Sequence, residues 1–565
     1  MTGRGKFVLT VLILAIAGLG AYKWWDKLKP ADTPSPATSS ASANATRGAD
    51  SAPSAANTKA VPLDPADFVE PHTTCPLLPP AGTYVAKDNT LDIELSEYAG
   101  YAGIVVANGG LDPSEDSYFF RKYGFKVRIT LSEEESWPAL NSGRLAASAT
   151  TVDVLAAYCR NFQVVAPMQI GFSRGADGIV VRKDIRRIND LKGRTLVTSQ
   201  LTEADFFIRY LTQETGLAVH PLSGPKDRPA PDKVNLLFAT DAFAAGDIFL
   251  KDLQSGGNHL AGCVTWAPKT TEVVDASNGA ATLLTTNKNL LIIADILIVN
   301  KAFASAHPEQ VAGLVDGILE GNRLVRGDPA SHVDVIGKAF KWDRAETEAE
   351  LAKVHLSNLP ENLAFYSGAI DAAGSFSGIY SSAILAYGSL IDQPVDADRY
   401  MTPQHLQALQ AAGAFAGQQI TLAPIRSSAS GALERDPLLS KDIRFLFEPN
   451  SAKLDLSSQD NLNNLESIRR LLQVSPGSTI LLRGHVDNAL IEKFRQQGGD
   501  AFVRQMALKA MELSKNRAGE IRRVLIERLK VEPARLETIG RGWEEPAGSD
   551  AEKNRRVEVQ WFTVE

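Results

Sequence analysis

Residues 173–216 read SRGADGIVVRKDIRRINDLKGRTLVTSQLTEADFFIRYLTQETG, and their order decides the fold. GIVVRKDI (178–185) opens on a β-branched apolar run, which predicts a strand. DLKGRTLVTSQ (190–200) predicts a turn and then a second strand. TEADFFIRYLTQETG predicts a helix with Thr202 as N-cap, Asp205 at the third position in place of the usual Glu or Gln, and Gly216 as C-cap. Working outward, LDIELS (91–96) and KVRITL (126–131) read as strands, and SWPALNSGRL as a helix starting at Ser136 and ending at Gly143. Such alternation predicts mostly parallel sheets covered by helices.

The chain has 565 residues, which suggests about three to four structural units. Hydrophobic residues make up 44% and charged residues 22%, a balance that excludes a wholly disordered chain and a multi-span membrane protein. Lys and Arg total 59 against 66 Asp and Glu, a net charge of −7. That charge argues against nucleic acid as a partner. The three cysteines, Cys75, Cys159 and Cys263, form no CxxC pair, so zinc-ribbon and thioredoxin-type sites are excluded. HExxH and P-loop motifs are absent, and the eight histidines form no pair with metal-ligand spacing. No catalytic residue, metal or cofactor is expected.

Residues 7–22, FVLTVLILAIAGLGAY, follow Arg4 and Lys6 and precede Lys23, Trp24 and Trp25. This pattern predicts a transmembrane anchor within 1–29, single-pass in the inner membrane, with the body exported to the periplasm. A cleaved signal peptide is the alternative. Residues 30–74 open on a Pro/Ala/Ser/Thr-rich stretch and read as a disordered tether. A second break, 411–439, separates a large unit, 75–410, from a small one, 440–565. No repeat of 20 to 50 residues occurs.

In the large unit, SEYAGYAGIVVANGGLD, WPALNSGRLAASATTVD, SRGADGIVVRKDIRRINDLKGRTLVTS, CVTWAP and ADILIVNKAFASAHPEQV follow in order. Together they resemble the type 2 periplasmic solute-binding proteins of the nitrate, sulfonate, taurine and thiamine-pyrimidine group. The resemblance implies two α/β lobes closing by hinge motion over a small-molecule solute, and an ABC permease or other inner-membrane partner. Ligands of open α/β sheets lie beyond the strand C-termini. Candidate solute-binding residues are therefore Tyr98, Tyr101, Glu135, Ser136, Ser173, Asp177, Ser199, Gln200, Thr202 and Trp266. Glu203 and Asp205 in the first helical turn suit a cationic ligand, or only cap the helix. Pyrimidine-forming enzymes of yeast resemble this fold, but their cysteine-rich active-site run is missing here, so catalysis is not expected.

In the small unit, alternating Ile443, Phe445 and Phe447 predict a strand. Leu462, Leu465, Ile468 and Leu472 share one helical face. TILLRGHVDN (479–488), a helix over about 502–530, LETIGRG (536–542) and RVEVQWF (556–562) complete a βαβαββ order. FLFEPNSAKL, GHVDN, LSKNRAGEI, IGRGWEEP and EKNRRVEV resemble the OmpA/MotB-like C-terminal domain. That resemblance implies peptidoglycan as partner, gripped at the diaminopimelate end of its stem peptide. Asp487 would accept the ammonium and Arg517 would pair with the carboxylate, with Asn554, Arg555 and Arg556 bordering the site. One acceptor and one bidentate donor are what a zwitterion needs. Asp487 and Arg517 stand 30 residues apart, about twice the family's usual spacing, because ALIEKFRQQGGDAFVRQMALKAM is inserted. Val486 and Ala510 replace the usual Thr and Asn, which removes two neutral hydrogen bonds.

The fold class expected is thus a two-lobed α/β periplasmic-binding-protein fold joined to an α+β OmpA-like domain. The function expected is solute capture coupled to non-covalent attachment to the cell wall. The alternative is a structural envelope protein whose solute-binding fold has no transported ligand. A Cys75–Cys159 bridge is compatible with an oxidising periplasm.

Overall fold

A computed structural model of the chain describes residues 62–132, 136–369, 374–391, 394–422, 437–448 and 451–563. The expected N-terminal anchor, most of the expected tether, and Glu135 lie outside these residues. Among the described residues no helix is long and apolar enough to cross a membrane.

The large unit contains two six-stranded sheets, one per lobe. In the first, the spatial order is Val354–Leu356, Val164–Ser173, Ala294–Asn300, Ala147–Thr151, Thr90–Leu95 and Lys126–Leu131. In the second it is Ala281–Thr286, Asp177–Arg182, Gly262–Trp266, Thr195–Ser199, Val234–Ala239 and Val219–Pro221. The predicted strands of 91–96, 126–131, 178–185 and 190–200 are present. The sheets are more mixed than expected. Thr90–Leu95 pairs in parallel with both its neighbours, but Ala294–Asn300 runs antiparallel to both of its own. Asp177–Arg182 is likewise antiparallel to Gly262–Trp266. These exceptions have one cause: the chain crosses between lobes over 174–176 and 287–293, and the strands at the crossings enter their sheets from the opposite end.

The crossing is stitched together by one side chain. The Asn287 amide donates to Ser173 O at 3.1 Å and to Asp177 Oδ2 at 3.0 Å. Its oxygen accepts from the backbone N–H groups of Gly175 and Asp177. Helix Phe376–Tyr387 packs on Val152–Tyr158 of the first lobe and on Glu203–Thr215 of the second. Helix Pro308–Gly327 lies against Ala102–Asn108 so closely that a Cβ on Gly321 would run into the Gly103 carbonyl. Residues 62–74, read from sequence as tether, pack on the second lobe. Leu63 and Phe68 join its apolar core, and Val69 bridges Phe238.

The small unit is a four-stranded sheet in the order Leu439–Ile443, Val557–Phe562, Thr479–Gly484, Leu536–Gly540. Helix Gln459–Val474 buries Leu465, Ile468, Leu471 and Leu472, while Leu462 stays exposed at its outer edge. The second helix begins earlier than the sequence predicts. It spans Ile491–Glu527 and loses helical geometry at Gly498 and Gly499. The inserted segment thus forms its first part, where Phe494 packs on Phe502 and Trp543. This unit docks on the second lobe of the large one. Asn189 and Ser440 exchange two hydrogen bonds, at 2.8 and 2.9 Å, and Leu291 N–H reaches Val474 O at 2.7 Å.

Candidate functional sites in the cleft and in the small unit

Between the lobes lies a cavity of about 250 Å³. Tyr101, Ser199, Gln200, Thr202 and Trp266, all expected from sequence, line it. So do Glu203, weighed from sequence for the ligand's charge, and Trp137, Thr150, Thr151, Glu94 and Asp241, which sequence reasoning did not select. Asp241 was findable: LLFA ends a strand and Thr240-Asp241 precedes the next helix, the same pattern that pointed to Ser199–Thr202. Asp241 caps helix Ala242–Gln254 through the Ala244 N–H at 2.7 Å.

Several expected residues have other work. Ser173 and Asp177 are buried at the crossing, with Ser173 Oγ donating to Asp177 at 2.5 Å, and neither lines the cavity. They hold the crossing between the lobes rather than face the cavity. Tyr98 stacks edge-on against Tyr101, with ring centroids 5.3 Å apart, and reaches Asp295 at 3.5 Å. It supports the wall from behind. Ser136 donates its backbone N–H to Glu94 at 2.9 Å, and its side chain does not cap the following helix. The Gln200 amide is bonded in both directions to the backbone of His72.

The start of helix Glu203–Thr215 departs from a capping box. Thr202 Oγ1 donates to Ser199 O instead of capping. Asp205 is fully buried, accepts from the Leu201 N–H at 3.1 Å and pairs with Arg209 at 2.6 Å. Leu201 has φ +66°, a left-handed conformation that L-residues rarely adopt, and Asp205 holds it there. Of the two acids weighed from sequence, Glu203 faces the cavity and Asp205 does not.

Behind the cavity the acids Asp153, Asp177 and Asp295 are buried. Burial pushes the Asp153 carboxyl up to about 7; the Thr151 hydroxyl and its own N–H oppose this, while the charges of Asp177 and Asp205 add to it. Burial likewise carries Asp177 up to about 6 against bonds from Ser173 and Asn287. Asp295 is raised well above the usual carboxylate range by burial and by Asp177.

In the small unit a groove of about 140 Å³ is lined by Arg444, Phe447, His485, Arg517, Arg555 and Arg556, among others. The Arg517 guanidinium lies 4.8 Å from the centre of the Phe447 ring, and its Nε has no hydrogen-bond partner. Burial and the neighbouring Arg555 lower its pKa, while Asp487 raises it. Asp487 takes the Arg555 Nε–H at 2.7 Å and the Ala489 N–H at 3.1 Å. Arg517 therefore lines the groove, whereas Asp487 does not line it but is tied to Arg555, which does, and its charge acts on Arg517. Residues 446–560 match the model of the OmpA family.

That segment is an OmpA domain.

Asn554 of the OmpA domain is buried, and its amide is used up in bonds to Ala547, Gly548 and Asn488, so it shapes the neighbouring loop rather than the groove. Arg556 lines the groove while bonding Asp442 at 3.0 Å. Among the described residues, His485, Glu545 and Glu558 are the three potential metal ligands that come together. Arg483 already pairs with both carboxylates, and Arg541 lies 3.7 Å from Glu545, so two guanidinium groups match the two acids.

For the large unit, a curated Brucella abortus protein described as a binding protein is 23% identical over 246 residues, 44% of this chain and 70% of that one. Two solved structures are similar at low identity. The alkanesulfonate-binding protein SsuA of Xanthomonas axonopodis pv. citri bound to MOPS is 14% identical with TM-score 0.42, covering 56% of this chain and 99% of that one. The nitrate-binding protein NrtA of Synechocystis PCC 6803 is 11% identical with TM-score 0.41, covering 57% and 89%.

Proposed function

We propose that the chain is a non-catalytic protein of the cell envelope that captures a small solute between its lobes and holds peptidoglycan through its OmpA domain. The observation that carries this reading is the groove of the OmpA domain, which Arg517 lines with its Nε unpartnered and where Arg555, also on the lining, is tied to the neighbouring Asp487 carboxylate. A diaminopimelate end offers the matching carboxylate and ammonium. In the large unit, a polar cavity at the strand ends, between lobes joined by a two-stranded hinge, supports solute capture. The apolar run at 7–22 supports an inner-membrane anchor with the body in the periplasm, where an ABC permease or another inner-membrane protein could receive the solute.

The test is sedimentation of the purified full chain with peptidoglycan sacculi. The reading expects the protein in the pellet and Arg517→Ala in the supernatant. Equal pelleting of both removes Arg517 from the site, and no pelleting of either removes the wall-binding function.

A further inference from the structure

The geometry points to a positively charged ligand for the interlobe cleft: a protonated amine or quaternary ammonium carrying a neutral oxygen acceptor. This rests on the solute-capture reading and names the class of solute.

Three carboxylates stand on the cavity wall, Glu94, Glu203 and Asp241, and among the described lining residues there is no Lys, Arg or His. Behind that wall lie the buried carboxyls Asp153, Asp177 and Asp295. Helix N-termini are the usual places where an α/β cleft offers bare N–H groups to an anion. Here one helix start is capped by the protein's own Asp241, and the other carries Glu203 and Asp205 in its first turn. Asp205 takes the Leu201 N–H ahead of helix Glu203–Thr215. Asp241 takes the Ala244 N–H of helix Ala242–Gln254. An anionic solute would meet repulsion at both.

A second feature shows what else the ligand must carry. Trp137 and Thr150 line the cavity, and their Nε1 and Oγ1 atoms have no hydrogen-bond partner, although the residues are 2% and 3% exposed. Buried polar atoms are rarely left unmatched. The indole N–H can only donate, so it calls for an oxygen acceptor on the ligand. The aromatic residues Trp137, Tyr101 and Trp266 line the same space, and aromatic rings suit a cation. A volume of about 250 Å³ limits the ligand to a small molecule.

The experiment is thermal unfolding of the full chain with three sets of probes at equal ionic strength: choline, ethanolamine and putrescine; ethanesulfonate, nitrate and sulfate; glucose as a neutral control. In parallel, small molecules released by denaturing the purified protein are read by mass spectrometry in both ion modes. The expected result is stabilisation by a cation, or release of one. Glu203→Gln combined with Asp241→Asn, which keeps a capping side chain, should weaken that binding about tenfold or more. Stabilisation by an anion, or release of one, overturns the charge assignment and leaves solute capture standing. No stabilisation by any probe together with no released molecule overturns both.

Discussion

Arg555 Nε donates to Asp487 Oδ2 at 2.7 Å, so the carboxylate expected to receive an ammonium is already paired with a guanidinium. A stem-peptide ammonium must displace that partner or share the acid with it. Arg555 is exposed, and exposed ion pairs contribute little, about 0.2–1 kcal/mol. Arg555→Ala is therefore expected to keep or tighten retention on sacculi, while Asp487→Ala weakens it about tenfold. Loss of retention in Arg555→Ala would make Arg555 a wall contact itself. Sedimentation at low and high salt separates the two.

Arg517 rests on the face of Phe447. A guanidinium in that position is pre-oriented, and lysine cannot reproduce its fork. Arg517→Lys should retain the charge but lose most of the affinity for sacculi. Phe447→Leu should weaken binding several-fold with little change in melting temperature. Wild-type binding by Arg517→Lys would show that charge alone suffices.

Asp153 makes stability depend on pH. Burial raises its folded-state pKa to about 7, above its ordinary value. Between about pH 4 and 7 the unfolded chain has lost this proton while the folded chain keeps it. Stability therefore falls as pH rises through that window, by up to about 1.4 kcal/mol per pH unit from this one group. Glu558 acts oppositely. Burial pushes it up, but His485, Gln560 and Arg483 together bring it down to about 2, so its contribution is present above its ordinary value and is lost as pH falls toward 2. Asp153→Asn should flatten the decline between pH 4 and 7 in urea unfolding followed over pH. An unchanged slope would contradict this assignment.

Much of this arrangement is legible in the sequence, for stated reasons. Strands such as 126–131 and the helix ending at Gly216 follow from local pattern and a glycine at φ +79°. Asp487 and Arg517 follow from the resemblance of five phrases to the OmpA/MotB-like domain. What local pattern cannot reveal is what a side chain meets across the fold. Thr202 looks like an N-cap, yet its hydroxyl turns to Ser199 O. Ser173 and Asp177 fall at the right crossover, yet Asn287, 110 residues beyond Asp177, binds them into the hinge. Gln200 stands at a strand end as expected, but a segment read as tether returns to take its amide. The early start of helix Ile491–Glu527 was hidden by Gly498-Gly499, which reads as a break and is one only locally.

Cys75 and Cys159 lie buried with their sulfurs 2.9 Å apart and 84 residues apart in sequence. In an oxidising compartment they are placed to bridge. Closing so long a loop would stabilise the chain by about 4.6 kcal/mol in the loop-entropy account. Alkylation of periplasm-derived protein, unfolded without reductant, should label Cys263 alone. Labelling of all three cysteines would exclude the bridge.

The central claim is that the OmpA domain clasps a zwitterion, and titration with two soluble stem tripeptides tests it most directly. One ends in meso-diaminopimelate and the other in lysine, which lacks the second carboxylate. The account predicts saturable binding of the diaminopimelate peptide to the full chain, much weaker binding of the lysine peptide, and loss of the preference in Arg517→Ala. Equal binding of both peptides, or none of either, would contradict it.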